Sequence, residues 1–199
     1  MPVVWLPGEG YFANSYIFGG VLVDAGVTPL ALARHADRIE SVVLTHTHYD
    51  HIAYLKEIKA LTGAEVCVHA FDAAGLSGER ASLAPMFGAR PPMTVPDRIL
   101  EGGERIGGLE VIHTPGHTPG GISLYSPEER ALFCGDIVFP GGSFGRFDFP
   151  GGDLDALTGS IDRLAALDVE ALYPGHGEPV RTGGIRHIRA AAIAVREMR

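Results

Sequence analysis

The chain has 199 residues and a formal net charge of -8, and that length suits one domain, 1-199, with a sizeable core. Its 46% hydrophobic and 20% charged residues exclude a disordered or fibrous chain, and the acidic balance argues against nucleic acid, which needs a basic footprint. There is neither an N-terminal apolar leader nor a run long enough to cross a bilayer, so no membrane partner and a cytoplasmic location are expected.

Val3 to Leu6 is apolar and strand-like. Asn14 to Phe18 and Val21 to Asp24 flank Gly19-Gly20, a two-residue hairpin signal. Leu30 to Arg38 has helical spacing after Thr28-Pro29, with the proline at a permitted early position. Ser41 to Leu44 reads as a buried strand. Ile52, Leu55, Ile58 and Leu61 recur at helical spacing with Lys56, Glu57 and Lys59 between, which predicts an amphipathic helix over Ile52 to Leu61 ended by Gly63. Glu65 to His69 is a further strand and Phe71 to Leu76 a short helix. Residues 77 to 98 are rich in Pro, Gly, Ala and Ser and read as a connector or flap. Glu101-Gly102-Gly103-Glu104 is a turn. Leu109 to Ile112, Ile122 to Tyr125 and Ala131 to Cys134 are strands, and 139 to 152 is a Gly/Pro/Phe-rich loop. Asp153 is a good N-cap for a helix over Leu154 to Leu167. Ala171 to Tyr173 is a strand, and Ile185 to Met198 a helix. Cys67 and Cys134 each lie inside an apolar run and form no CxxC motif, so they read as buried thiols or at most a single bridge.

The chemistry gathers in Thr45-His46-Thr47-His48-Tyr49-Asp50-His51, directly after an apolar strand. His46, His48, Asp50 and His51 are all potential metal ligands, and imidazole suits zinc, iron and related borderline metals. Asp50 stands where a helix N-cap would stand, but its neighbours are ligand types and ligation is its expected role. Three later residues fit the same pattern: His117 in Thr114-Pro115-Gly116-His117-Thr118-Pro119-Gly120, Asp136 in Cys134-Gly135-Asp136, and His176 in Pro174-Gly175-His176-Gly177. Each follows an apolar run and adjoins a glycine, where the backbone can turn sharply. Five histidines and two aspartates suffice for two metals that share a carboxylate.

In that order, HxHxDH, TPGHTPG, CGD and PGHG resemble the metallo-β-lactamase superfamily over nearly the whole chain. Asn14, the Gly19-Gly20 turn and Val23-Asp24-Ala25-Gly26 resemble its opening hairpin, and Gly145-Arg146-Phe147 resembles the glyoxalase II (hydroxyacylglutathione hydrolase) branch. The resemblance implies an α/β fold, a four-layer αββα sandwich of two mixed β-sheets with helices outside. It implies two divalent metal ions, zinc first and iron or manganese as alternatives. His46, His48 and His117 would hold the first, Asp50, His51 and His176 the second, and Asp136 would bridge, since a carboxylate can span two cations where a neutral imidazole serves one. Asp50 would also act in catalysis by orienting the bridging hydroxide and taking its proton. Asp24 resembles the aspartate that backs the metal loop.

The activity so implied is hydrolysis of a small acyl thioester, a small-molecule substrate with a leaving group that needs no strong acid. The alternatives are a persulfide dioxygenase using one iron on His48, His117 and Asp136, and a lactonase or phosphodiesterase on the same metals. Arg146 stands where glyoxalase II enzymes place a basic residue for the thiol carrier, and a carboxylate clamp is its candidate role. Tyr173 and Tyr49 adjoin ligands and are candidates to donate to an oxyanion, with core packing the competing role for Tyr173. His69 and His113 are expected to be structural, and His35 and His187 solvated. Two departures bear on substrate: Asp148 replaces an aromatic residue expected for glutathione contact, and the sequence stops one helix after PGHG, so weak dependence on glutathione is expected. Ala53-Tyr54 replaces the usual Gly-Gly, which is expected to alter packing but not ligation.

Overall fold

Short apolar strands of β-branched and aromatic residues set up the first sheet. In the computed structural model, which describes residues 2–198, β1 (Val4–Leu6), β2 (Ser15–Phe18) and β3 (Val21–Val23) run antiparallel in turn. The Gly19-Gly20 turn sets the register of the second pair, with Phe18 opposite Val21 and Tyr16 opposite Val23. β4 (Ser41–Val43), β5 (Glu65–His69) and β6 (Arg98–Leu100) then add in parallel, giving a six-stranded sheet in the order β1-β2-β3-β4-β5-β6. Parallel neighbours need crossovers, and helical segments supply them. β3 reaches β4 through α1 (Pro29–Leu32), which Thr28 caps by accepting from the Ala31 N–H, and a 3₁₀ stretch over Ala33–Arg38.

The single helix expected over Ile52 to Leu61 is two. α2 (Tyr49–Ile52) begins inside the ligand motif, and α3 (Leu55–Thr62) follows a break at Ala53-Tyr54. A continuous helix would offer the carbonyls of Asp50 and His51 to the N–H groups of Tyr54 and Leu55. Here Ala13 N–H takes the Asp50 carbonyl (3.1 Å), Ala25 N–H takes that of His51 (2.7 Å), and Tyr54 N–H turns to Ala25 O (3.1 Å). Gly26 permits this approach, since a Cβ there would stand 2.6 Å from the Asp50 oxygen. α3 ends as expected at Gly63, which has φ +68° and donates to Lys59 O at 2.9 Å. The 77 to 98 connector holds more structure than its composition implies: α4 (Glu79–Ser82) and a 3₁₀ turn over Ala84–Phe87, after another at Ala73–Leu76. Pieces this short carry no readable periodicity. Leu22, Val42, Leu44, Ile52, Leu55, Ile58, Val66 and Val68 belong to the core of this unit, Met1–Glu101.

The second unit, Gly102–Arg199, is built on a five-stranded sheet. β7 (Arg105–Ile106), β8 (Leu109–His113), β9 (Ile122–Ser126) and β10 (Ala131–Gly135) are successively antiparallel, and β11 (Ala171–Pro174) joins β10 in parallel. β6 went unread because it begins inside the stretch read as a connector, and β7 because two residues show no alternation. α5 (Leu154–Ala165) makes the β10–β11 crossover and α6 (Ile185–Arg196) follows. Asp153 caps α5 as expected, its side chain accepting from Ala156 N–H at 2.9 Å, a bond that contributes on the order of 1 kcal/mol. Leu132, Val138, Leu157, Ile161, Leu164, Leu172, Ile188 and Val195 pack this core. Both sheets are mixed and both carry helices, as the resemblance implies. No helix among the described residues is long and apolar enough to cross a membrane.

Cys67 and Cys134 are buried free thiols, not a bridge. Burial pushes each up to about 12, reinforced at Cys67 by the Glu65 carboxylate. Neither is a thiolate nucleophile near neutral pH.

The TPGH loop is fixed against α5 at one glycine. Gly116 has φ +129°, and a Cβ there would fall 2.2 Å from the Leu157 nitrogen. Its carbonyl accepts from Asp153 N–H at 2.8 Å. Gly116→Ala is expected to cost at least about 1–3 kcal/mol from the backbone conformation alone, read as a lower urea midpoint. An unchanged midpoint would refute this seating of the loop.

Candidate metal centre

In the first unit the metal loop is held by a buried carboxylate. Asp24 ends β3 in a left-handed conformation, φ +60°. Its Oδ1 accepts from Thr45 N–H at 2.7 Å, and its Oδ2 accepts from Thr45 Oγ1 and His51 Nδ1, each at 2.8 Å. A carboxylate only accepts, so Nδ1 of His51 carries the proton and Nε2 keeps the lone pair that a metal needs. His51 is fully buried within α2.

Two more imidazoles face each other beside it. His46 Nε2 stands 3.1 Å from His48 Nδ1. Two nitrogens on one tetrahedral ion, with bonds of roughly 2.0–2.1 Å, stand about 3.3 Å apart, so the pair fits a shared cation. Asp50 Oδ2 lies 3.7 Å from His51 Nε2, a second pair with its ligand atoms turned together. Nitrogen and carboxylate donors without thiolate suit zinc, iron or manganese.

The second unit brings its three expected ligands together as well. His117 follows β8, Asp136 follows β10 by one residue, and His176 follows β11 by two. Asp136 Oδ2 is 3.7 Å from His117 Nε2 and 3.5 Å from His176 Nε2, so one carboxylate edge faces two imidazoles. His117 Nδ1 donates to Arg146 O at 2.6 Å, which again fixes Nε2 as the ligand nitrogen.

Other sequence candidates have mixed placements. The Arg146 side chain is exposed, donates to both Asp148 oxygens (2.9 and 2.7 Å), and lies 4.2 Å over the Phe149 ring. The ring beside this arginine is that of Phe149, one residue after Asp148. The guanidinium holds the Asp148 carboxyl below its usual range. Tyr173 is buried and stacks on Phe133 at 4.8 Å, and burial pushes its phenol up. His113 Nε2 donates to Pro119 O (2.9 Å), and His69 Nδ1 accepts from Phe71 N–H (3.3 Å), the structural roles expected. His187 is more than solvated, since Gly141 N–H donates to its Nδ1 at 2.8 Å and ties the glycine-rich loop to α6. Thr45 escaped the sequence reading. Its place immediately before HxH, facing an aspartate at a strand end, was the available signal.

Asp24→Ala removes three hydrogen bonds to a buried carboxylate at once. It is expected to weaken zinc retention by about tenfold to hundredfold and to lower the urea midpoint. Asp24→Asn keeps acceptance at one oxygen and is expected to fall between. A chelator competition showing wild-type affinity in Asp24→Ala would refute the positioning of His51 by this carboxylate.

Comparison with known proteins identifies the family. The model for the metallo-beta-lactamase superfamily matches residues 8–176. A probable metallo-hydrolase of Methanocaldococcus jannaschii is 32% identical over 194 residues, covering 88% of this chain and 93% of that protein. A hydroxyacylglutathione hydrolase of Pseudomonas aeruginosa is 36% identical over 72% of this chain but only 50% of its own length, so the chain spans about half of that relative. Among solved structures, TTHA1623 in a di-iron-bound form superposes with a TM-score of 0.80 at 36% identity, covering 94% of this chain and 96% of that one. The BLEG-1 B3 metallo-beta-lactamase gives 0.82 at 28% identity over 89% and 93%. With the family model spanning most of its length and the fold shared with these structures, the chain belongs to the metallo-beta-lactamase superfamily and is one of its metallo-hydrolases.

Proposed function

We propose that this metallo-hydrolase cleaves a small acyl thioester. The observation that carries the reading is Asp136, whose Oδ2 faces both His117 and His176, as a carboxylate shared by two cations can. In this reading His46, His48 and His117 hold one cation, Asp50, His51 and His176 the other, and Asp136 bridges. Two bound cations supply a water acidified toward neutral pH and Lewis-acid polarisation of a carbonyl. Asp24 keeps His51 in the ligating tautomer, and the Arg146 carbonyl does the same for His117. The Asp50 carboxylate orients the attacking water and accepts its proton. A thiolate leaves without a strong general acid. The hydroxyacylglutathione hydrolases of Pseudomonas aeruginosa and Haemophilus influenzae, 36% and 33% identical, support the thioester class. Zinc is the metal of this reading, and the di-iron-bound relative makes iron its competitor.

Glutathione itself is weakly recognised in this reading. The Arg146 Nε and Nη2 donors are engaged by Asp148, so a substrate carboxylate competes with a tethered neighbour for that edge of the guanidinium. Binding energy from a remote substrate part requires contacts there, and an exposed pair supplies little.

Gently purified protein is expected to hold up to two transition-metal ions per chain by elemental analysis. Asp136→Ala is expected to lose more metal than His46→Ala or His51→Ala; full occupancy in Asp136→Ala would refute the bridge.

The substrate test compares kcat/KM for lactoylglutathione and a short uncharged thioester. Arg146→Ala is expected to raise KM for the carboxylate-bearing substrate by no more than about fivefold and to leave the uncharged one unchanged. A strong wild-type preference for glutathione that survives the mutation would overturn weak carrier recognition. Oxygen consumption with glutathione persulfide, without thioester cleavage, would replace the hydrolase with an iron dioxygenase.

A further inference from the structure

The three candidate ligands of the second unit adjoin one short segment, 137–146. Asp136 leads into it, and His117 Nδ1 donates to the Arg146 carbonyl at its far end at 2.6 Å. The Phe139 ring stands 6.3 Å from the His176 ring. The segment doubles back on itself: Val138 pairs with Phe144, Phe139 N–H donates to Ser143 O at 2.8 Å, and Gly142 N–H donates to Phe139 O at 3.1 Å. Gly141 and Gly142 make the reversal, with φ +90° and +89°. Glycine loses the most conformational freedom on ordering, so such a turn needs a hold from outside. α6 supplies it at two residues on one face. Gly141 N–H donates to His187 Nδ1 at 2.8 Å. Gly142 lies against Ala190, where a Cβ on the glycine would fall 2.5 Å from the Ala190 Cβ. An accepting Nδ1 keeps its lone pair and leaves the proton on Nε2, the reverse of the tautomer at His51 and His117.

We propose that His187 is a positioning residue for the second-unit half of the metal centre: by accepting from Gly141 it pins the turn that holds the Arg146 carbonyl on His117 and the Phe139 ring beside His176. This rests on the reading of Asp136, His117 and His176 as metal ligands. A turn released at Gly141 disturbs both arms of the segment together. The returning arm runs close against two of the ligands, since a Cβ on Gly145 would stand 1.9 Å from the Asp136 carbonyl oxygen and 3.1 Å from His117 Nδ1. It carries the acceptor that keeps the His117 proton on Nδ1, and a ring without that acceptor is free to rotate and change tautomer. The outgoing arm carries Phe139. His176, beside it, has 34% of its side chain exposed, against 6% for His117, so it has less packing of its own to fix the ring. The His187 bond itself is open to water. Its loss is therefore worth the threefold to tenfold of an ordinary hydrogen bond, about the net value of one such bond, rather than collapse of the site.

Two measurements read this without turnover: zinc affinity by chelator competition, and the His117 Nδ1–H signal in the proton NMR spectrum of the zinc-loaded protein. His187→Ala is expected to lower zinc affinity by about threefold to tenfold and to shift or broaden the His117 signal. His187→Asn puts Oδ1 the same number of bonds from the backbone as Nδ1, and is expected to restore both. Gly142→Ala pushes the turn off Ala190 with His187 intact, and should reproduce the loss. It acts from the other side of the contact, so the test stands if either variant folds, with circular dichroism as the check. A role confined to fastening α6 gives a lower urea midpoint in His187→Ala with zinc affinity and the His117 signal unchanged, and that result would overturn the proposal. So would a loss that His187→Asn leaves unrestored. Wild-type protein that takes up no zinc, iron or manganese would overturn the ligand reading itself, and the proposal with it, whereas metal uptake indifferent to position 187 overturns the positioning alone.

Discussion

The first half of the metal site depends on one carboxylate. Asp24 reaches from the end of β3 across to β4's exit, taking the Thr45 N–H and hydroxyl on one side and the His51 ring on the other. Those partners lie 21 and 27 residues away. Its left-handed backbone, unusual for a residue other than glycine, is the conformation that turns the side chain under the loop. A buried carboxylate would be costly alone; here all three contacts donate to it. The same contacts select the His51 tautomer, so fold stability and ligand chemistry rest on the same three hydrogen bonds.

Backbone groups complete what Asp24 begins. The first-unit loop makes only one turn of α2 before its carbonyls are claimed by Ala13 and Ala25. An uninterrupted helix would have spent these oxygens internally and removed two of the loop's ties to neighbouring segments. Breaking the helix at Ala53-Tyr54 therefore fixes Asp50 and His51 against two neighbouring segments. In the second unit a main-chain carbonyl, that of Arg146, orients His117, so the loop after Asp136 has a role that its exposed side chain does not reveal.

These differences explain what the sequence made legible. Ligand types with fixed spacing after apolar strands are visible because each side chain must be present in the sequence itself. The longer strands and α5 were visible because burial imposes a period and Asp153 supplies a cap. The helix break was hidden because it comes from carbonyl partners distant in sequence, not from a breaker residue. β7 was hidden by brevity and β6 by its place at the end of a Pro/Gly-rich connector. Thr45 and the Arg146 carbonyl were hidden because a hydroxyl beside a histidine, or a peptide oxygen, looks like any other until its partner is placed.

Two departures from the superfamily pattern leave the ligand atoms untouched. Asp148 engages the Arg146 guanidinium through two hydrogen bonds, and Ala53-Tyr54 stands at the break between α2 and α3, where Tyr54 packs on the first unit's core. Neither carries a ligand atom, so packing around the metal loop can vary while the ligand set stays fixed. An exposed ion pair yields little when traded for another, so the Arg146–Asp148 pair is a weak lever on binding, whereas Asp24, buried and accepting three hydrogen bonds, acts directly on the loop that holds the ligands.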